Sequence, residues 1–187
     1  LAAQTALQSL RDIARVGPGD RVLINGGSGG VGVFAIQLAK YLGAHVTTTS
    51  SGRNTGLCRE LGADRALDYE LDPVLDGRER YRVIFDVVGN RRFRAIKSCL
   101  DERGVYVSTV PSAPLLFDVA TTAFGYPRAR LVVIRSRTRD LATLSDLFTR
   151  GLLRPLVDRI VAFDEVPSGF ERLETKRARG KIAVRVS

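Results

Sequence analysis

The chain has 187 residues, 44% of them hydrophobic and 26% charged, with a formal net charge of +9. That length fills one good-sized core and is marginal for two. Its apolar runs fall far short of the roughly 20 residues of a membrane span, and no basic-then-apolar leader occurs, so a soluble protein without a membrane partner is predicted. Two cysteines and one histidine are too few for a clustered zinc site or a disulfide scaffold, which predicts a reducing, cytoplasmic setting. The basic surplus is nearly all arginine, interleaved with Asp and Glu even around Arg91-Arg92-Phe93-Arg94 and Arg128-Ala129-Arg130. With no block of like charge and no stacking-aromatic motif, it predicts a solvated surface open to anionic cofactors rather than a nucleic-acid interface.

In chain order, Ala3, Ala6, Leu7, Leu10 and Ile13 predict a helix over Ala2 to Ala14, broken by Gly17-Pro18-Gly19-Asp20. Leu1 already lies at the edge of that periodicity, which predicts a piece of a longer polypeptide. A strand is predicted over Arg21 to Asn25, then a turn in which four of five residues are glycine, then a helix over Val31 to Leu42 stopped by Gly43. A second strand-helix unit follows over Ala44 to Thr49 and Asn54 to Leu61. Strands are predicted over Tyr81 to Val88 and Gly104 to Val110, with a helix over Phe93 to Leu100 between them. Asp72 to Arg80 reads as a polar connector, and Arg130 to Ile134 as a further strand. Beyond Arg139 come a helix over Leu141 to Phe148, a strand over Leu156 to Phe163, a helix over Val166 to Leu173 and a strand over Ile182 to Val186. Strands alternating with helices predict an α/β fold of Rossmann type: a doubly wound parallel sheet with helices on both faces.

Gly27-Ser28-Gly29-Gly30-Val31-Gly32 fits G-x-G-x-x-G, and its place between a strand and a helix gives the pattern meaning. The first glycine permits the bend, the second admits a pyrophosphate to the backbone, and the third packs helix against strand, while free amides at the helix start face the anion. A dinucleotide is therefore predicted. NAD-binding folds usually end the second strand on Asp or Glu. Here no carboxylate occurs between Val31 and Glu60, and Ser50, Ser51 and Arg53 stand where a 2′-phosphate would lie, which favours NADP(H). Tyr69 closes the segment Ala66 to Tyr69 that could reach the same adenine end.

Together with the glycine turn, Gln37 to Ala44, Leu61-Gly62-Ala63-Asp64, Phe85-Asp86-Val87-Val88-Gly89 and Ala178-Arg179-Gly180-Lys181 resemble, in the same order, the zinc-independent quinone oxidoreductase and enoyl reductase branch of the medium-chain dehydrogenase/reductases. The resemblance spans nearly the whole chain. It implies a cofactor domain over residues 1–152, with residues 153–187 belonging to a GroES-like catalytic domain whose N-terminal portion is absent. In that case Ile160, Phe163, Phe170 and Val186 lack much of their packing partner. It implies pyrophosphate contacts at Ser28, Gly29, Gly30 and Val31, and adenine-ribose contacts at Ser50, Arg53 and Tyr69. Asn90 and Ser108-Thr109-Val110 would approach the nicotinamide end, and Val133 and Ile134 would offer backbone groups to the carboxamide. Where zinc-dependent relatives carry a cysteine ligand, this chain has a non-ligating residue near Leu1, so no metal is implied. The implied activity is NADPH-dependent hydride transfer to a small electron-poor carbonyl-conjugated substrate. The alternatives are a non-catalytic nucleotide-binding or scaffold module, or an enoyl-reductase piece of a multidomain synthase. No catalytic acid is assigned; Tyr106, Ser108 and Tyr126 are chemically able donors but equally ordinary packing hydroxyls. In a doubly wound order the sixth strand lies at a sheet edge, and the apolar run Leu131 to Ile134 there predicts a homodimer closed through residues 130–135.

Overall fold

A computed structural model describes residues 1–175 and 177–186. Six parallel strands form the main sheet: β1 (Arg21–Asn25), β2 (His45–Ser50), β3 (Arg65–Asp68), β4 (Tyr81–Asp86), β5 (Leu100–Ser108) and β6 (Arg128–Leu131). Their order is β3-β2-β1-β4-β5-β6, the doubly wound arrangement the alternation predicts. Period-2 alternation explains how one strand serves two cores. Val22 and Ile24 of β1 enter the cluster built with α1 (Ala2–Leu7), α2 (Gly32–Tyr41), α3 (Thr55–Glu60) and α6 (Thr138–Thr149). Leu23, between them, points to the opposite cluster with Ile84, Phe93, Tyr106 and Leu115. Helices cover both faces, so the middles of the central strands are apolar on both sides (Val22-Leu23-Ile24 in β1, Val83-Ile84-Phe85 in β4), while their carboxyl ends, the ligand-accessible edge of the sheet, turn polar at Asn25 and Asp86.

Several predicted boundaries are corrected. The first helix is α-helical only to Leu7 and continues as a π-helix over Gln8–Ile13. There Gln8 Nε2 donates to Arg135 O at 2.6 Å and to Asp140 Oδ2 at 2.7 Å, while Arg11 reaches Asp140 Oδ1 at 2.6 Å. Burial opposes ionisation of Asp140, but the bonds from Arg11 and Gln8 win and hold its carboxyl below the usual range. The helix predicted over Phe93 to Leu100 is one turn, α4 (Phe93–Ile96), followed by a 3₁₀ turn, because β5 already begins at Leu100. Two elements were not predicted, β3 and α5 (Ala113–Thr121).

The strand predicted over Arg130 to Ile134 is also displaced. β6 pairs with β5 from Val105↔Arg128 to Ser108↔Leu131, and β5 ends there. Val132 N makes one last bond to Ser108 O at 2.9 Å; the chain then leaves the sheet, and Arg135 N is held by Gln8 Oε1 at 3.2 Å. Of residues 130–135, only Arg130 and Leu131 are therefore in a strand. The sheet-edge position of β6 is as expected.

The last segment forms a second sheet of two parallel strands, β7 (Val157–Ala162) and β8 (Lys181–Arg185), joined by α7 (Val166–Glu174). Val161 is buried, whereas Ile160, Phe163, Phe170 and Val186 are more than half exposed.

Candidate functional site

At the carboxyl ends of β1, β2 and β4 lies a cleft of about 910 Å³. The glycine turn between β1 and α2 forms its floor. The three glycines of the pattern separate by surroundings. A Cβ at Gly27 would overlap Thr48 Oγ1, and one at Gly32 would overlap Gly26 O and come within 2.7 Å of Gly27 Cα, so these two permit packing. A Cβ at Gly29 would meet nothing nearer than Gly26 O at 3.5 Å, so its open side faces the cleft it lines. Gly26 N and Gly27 N are consumed by Thr49 O, at 3.2 and 2.9 Å. Among the described residues, the amides of Ser28, Gly30 and Val31 have no protein acceptor. Val31, the N-cap of the ten-residue α2, also gives the helix no side-chain cap. Unspent amides and the positive helix end together make an anion seat.

The next wall is the end of β2 and its 3₁₀ turn Gly52–Asn54. Thr48 and Thr49, buried in β2, donate to Ile24 O and Asn25 Oδ1 at 2.8 Å each, which locks this strand end to β1. Asn54 Nδ2 donates to Ser28 Oγ at 3.2 Å and Ser51 Oγ at 3.1 Å, joining the glycine turn to the second wall. Its Oδ1 is buried with no partner. Ser50, Ser51 and Arg53 line the cleft, and Tyr69 joins them because its N–H donates to Ser50 O at 3.1 Å. Asp68 and Glu70 line it as well. An acidic residue therefore does stand at the end of β2: Asp68 comes not from β2 but from the end of the neighbouring β3, directly beside Gly52. This wall thus carries a cation, Arg53, and two carboxylates.

The third wall is the β4 exit, organised by Asp86. This wholly buried carboxylate accepts from Asn25 Nδ2 at 2.8 Å, Val88 N at 3.0 Å and Gly89 N at 2.8 Å through Oδ1, and from the Tyr106 hydroxyl at 2.9 Å through Oδ2. Asn25 Nδ2 also donates to Asn90 Oδ1 at 2.9 Å, which fixes the predicted Asn90 at the cleft rim. Burial, and next the Asp86 charge, push the Tyr106 phenol well above its usual range, so this hydroxyl keeps its proton and serves Asp86. Tyr126 lies under Arg128, 3.5 Å from guanidinium carbon to ring centroid.

The structure therefore brings Ser28 to Val31, Ser50, Ser51, Arg53, Tyr69 and Asn90 to one cleft; Gly27 and Gly32 shape the turn beneath it. It does not bring Ser108, Thr109, Val110, Val133 and Ile134 there. Ser108 and Val110 instead line an adjoining hollow of about 250 Å³ with Arg92 and Asp118, and Asn90 lines both it and the main cleft. Val133, largely exposed, and Ile134 lie on the segment that leaves β6. Two basic residues not assigned to the site from the sequence, Arg177 and, within the motif Ala178-Arg179-Gly180-Lys181, Lys181, line the main cleft from the second sheet's side. Among the described residues no group of three or more His, Cys, Asp or Glu side chains is placed to hold a metal ion, and no helix is long and apolar enough to cross a membrane.

Residues 61–184 match the family model described as "Zinc-binding dehydrogenase". A trans-enoyl reductase of Aspergillus terreus is 33% identical over 99% of this chain and 56% of its own length. The solved quinone oxidoreductase from Coxiella burnetii is 34% identical, with a TM-score of 0.89 over 100% of this chain and 58% of that one. A mycobacterial protein solved in complex with NADPH is 25% identical, with a TM-score of 0.79 over 100% and 62% of the two chains. The chain thus spans little more than half the length of these proteins.

Proposed function

The chain belongs to the zinc-binding dehydrogenase family, within the medium-chain dehydrogenase/reductases, and from that premise we propose that it is the cofactor-binding part of an NADPH-dependent reductase acting on small, electron-poor, carbonyl-conjugated substrates. The observation that carries this reading is the cleft with unspent amides of Ser28, Gly30 and Val31 on its floor. The residues present suit a dinucleotide: amides for the pyrophosphate, an open side at Gly29, and an unpartnered buried acceptor at Asn54 Oδ1. When bound, the nicotinamide supplies a hydride from its C4. The protein's share is to hold the diphosphate on the start of α2, to set the adenosine end against Ser50, Ser51, Arg53 and Tyr69, and to fix the β4 exit and Asn90 through Asp86. Acceptors of the enone, enoyl and quinone kind are proposed because relatives of this family are named as trans-enoyl reductases and quinone oxidoreductases. No side chain of the cleft is assigned as a proton donor.

NADPH is proposed over NADH because Arg53 stands beside the ribose position and makes no ion pair among the described residues. A charge-assisted contact with the 2′-phosphate is worth about 1.5–3 kcal/mol, so Arg53→Ala is expected to weaken NADPH binding about tenfold or more in a fluorescence titration and leave NADH nearly unchanged. Equal losses for both nucleotides would remove this assignment. Asp68 and Glu70 act in the opposite sense and moderate the preference.

We further place residues 1–152 in the cofactor domain and 153–187 with a catalytic domain, supported by the separate β7-β8 sheet and its exposed Phe163 and Phe170. Two free buried cysteines suit a reducing, cytoplasmic setting. The unpaired edge of β6 supports a homodimer, with the contact along Arg128–Leu131 and the extended Val132 to Ile134. Light scattering at micromolar concentration should give a dimer mass that Leu131→Lys lowers to the monomer; a monomer mass for the parent chain would dispose of this interface.

A further inference from the structure

The arginine cluster Arg91-Arg92-Phe93-Arg94 takes no part in the main cleft, yet the fold sets its first two members in the adjoining hollow of about 250 Å³. Gly89, at φ +76°, passes so close to the β5 exit that a Cβ there would stand 2.5 Å from Val110 Cβ. The chain then leaves the cleft at Asn90, which lines both spaces, and Arg91 and Arg92 follow into the hollow. Both are held from behind. The Tyr106 hydroxyl lies 2.9 Å from Arg91 O, and the Phe93 ring is buried against Tyr106 with centroids 6.1 Å apart. Arg91 Nε is buried without a hydrogen-bond partner, and among the described residues neither Arg91 nor Arg92 has a carboxylate within ion-pair distance. The single carboxylate lining the hollow is Asp118, 6% exposed. Its charge is offset from outside by Arg94 at 3.5 Å, which itself stands over the Phe117 ring, 5.4 Å from the centroid. The hollow thus keeps two uncommitted guanidiniums, one of them with a desolvated N–H that has lost its water and gained no acceptor.

A dinucleotide with its diphosphate on the glycine turn and its adenosine against β2 lays its other half toward the β4 exit, so the hollow opens beyond the nicotinamide end. The nicotinamide does not match it. That ring is neutral when reduced and a cation once the hydride has left, and it gains nothing from two guanidiniums. An oxyanion on the other reactant does. We propose that Arg91 and Arg92 form an oxyanion subsite for the substrate, so that the acceptor is a conjugated carbonyl compound bearing a carboxylate or phosphate handle. This rests on the reading of the cleft as a dinucleotide site and narrows the substrate class: an uncharged quinone or enone leaves both guanidiniums unmet. Arginine suits the role because its planar fork matches the paired oxygens of either anion. Asp118, on the same wall, repels that anion and weakens the site by design of charge alone.

The test uses two matched enones, 4-oxopent-2-enoate and pent-3-en-2-one, which differ only in a carboxylate for a methyl group. Their affinities for the chain saturated with NADP⁺, which cannot turn them over, are measured by ligand-observed NMR titration. The enoate is expected to bind about tenfold or more tighter than the neutral enone. Arg91→Met and Arg92→Met should each weaken the enoate about tenfold while shifting the neutral enone and NADPH less than about twofold, and Asp118→Asn should tighten the enoate. Inorganic phosphate is the second probe: displacement of the enoate at lower phosphate than enoate concentration identifies a phosphate handle, and the reverse order a carboxylate. Equal affinity for the two enones, or enoate binding unchanged in both arginine variants, would overturn the subsite while leaving the dinucleotide site intact. Failure of the parent chain to bind NADPH and NADP⁺ would instead overturn the dinucleotide reading, and the substrate role of the hollow with it. Arg92 is exposed, so loss of fold is not the expected cause of weaker binding in its variant, and a melting curve within about 2 °C of the parent verifies this for both.

Discussion

Replacement of Asp86 by alanine should lower the unfolding free energy by about 3–5 kcal/mol, measured by urea denaturation at neutral pH. The carboxylate is wholly buried and accepts from four donors: Asn25 Nδ2, Val88 N, Gly89 N and the Tyr106 hydroxyl. Truncation strands all four. Each unsatisfied buried donor costs about 1–3 kcal/mol, discounted because the β4 exit lies beside a solvent-filled cleft and can partly relax into it. Tyr106→Phe removes one donor and leaves the rest of the network, so its cost should be about 1–2 kcal/mol. The order of the two variants matters more than either value. An Asp86→Ala variant within about 1 kcal/mol of the parent would mean that the loop 86–90 reforms without its anchor, and the proposed role in fixing Asn90 would go with it. If the anchor is real, the same variant also loses affinity for NADPH at temperatures where it is still folded, because Asn90 and the β4 exit line the cleft.

What the sequence made legible follows the range of the interactions. The strand, glycine turn and helix over 21–41 are local, each set by its own apolar run and by the dense glycines between them, of which Gly32 would collide with Gly26 and Gly27 in the same turn, so they could be read directly. The helix α5 carried a local signal that was passed over: Ser112 caps it by accepting from Leu115 N at 3.3 Å, with a proline in the first turn. The short β3 carried little, since Arg65-Ala66-Leu67-Asp68 becomes a strand by pairing with β2, whose sequence lies some distance back along the chain. In β6, apolar character misled. Val132 to Ile134 look like strand, but the ladder ends where β5 ends, and the chain is then drawn toward Gln8. The site divides the same way. The floor of the cleft was in the glycine motif, whereas Asp68 and Arg177 arrive from elements that only the tertiary fold brings alongside, and Lys181, though it lies in a quoted motif, reaches the cleft the same way. Of the nicotinamide-end residues implied by resemblance, Ser108 and Val110 line the hollow that meets the main cleft at Asn90, whereas Val133 and Ile134 lie on the segment leaving β6.

Gly29→Ala and Gly32→Ala should separate the two duties of the glycine pattern. At Gly32 the new methyl would overlap Gly26 O and crowd Gly27 Cα at 2.7 Å, both backbone atoms that move only if the turn opens. Loss of stability is the expected result, with about 2–4 kcal/mol the range for overpacking against a fixed backbone. At Gly29 nothing but Gly26 O at 3.5 Å stands near the methyl, and the backbone there is not in the left-handed region, so the fold accepts alanine without strain. The melting temperature should hold or rise slightly, since alanine restricts the unfolded chain more than glycine does. The cost appears on the ligand side. A methyl projecting into the anion seat pushes the diphosphate off the amides of Ser28, Gly30 and Val31, and losing even two of these three charge-assisted hydrogen bonds weakens NADPH binding by about a hundredfold. A folded Gly29→Ala chain that binds NADPH as the parent does would show that the diphosphate does not lie on the glycine turn; a folded chain with that hundredfold loss places it there, since no other property of the variant has changed.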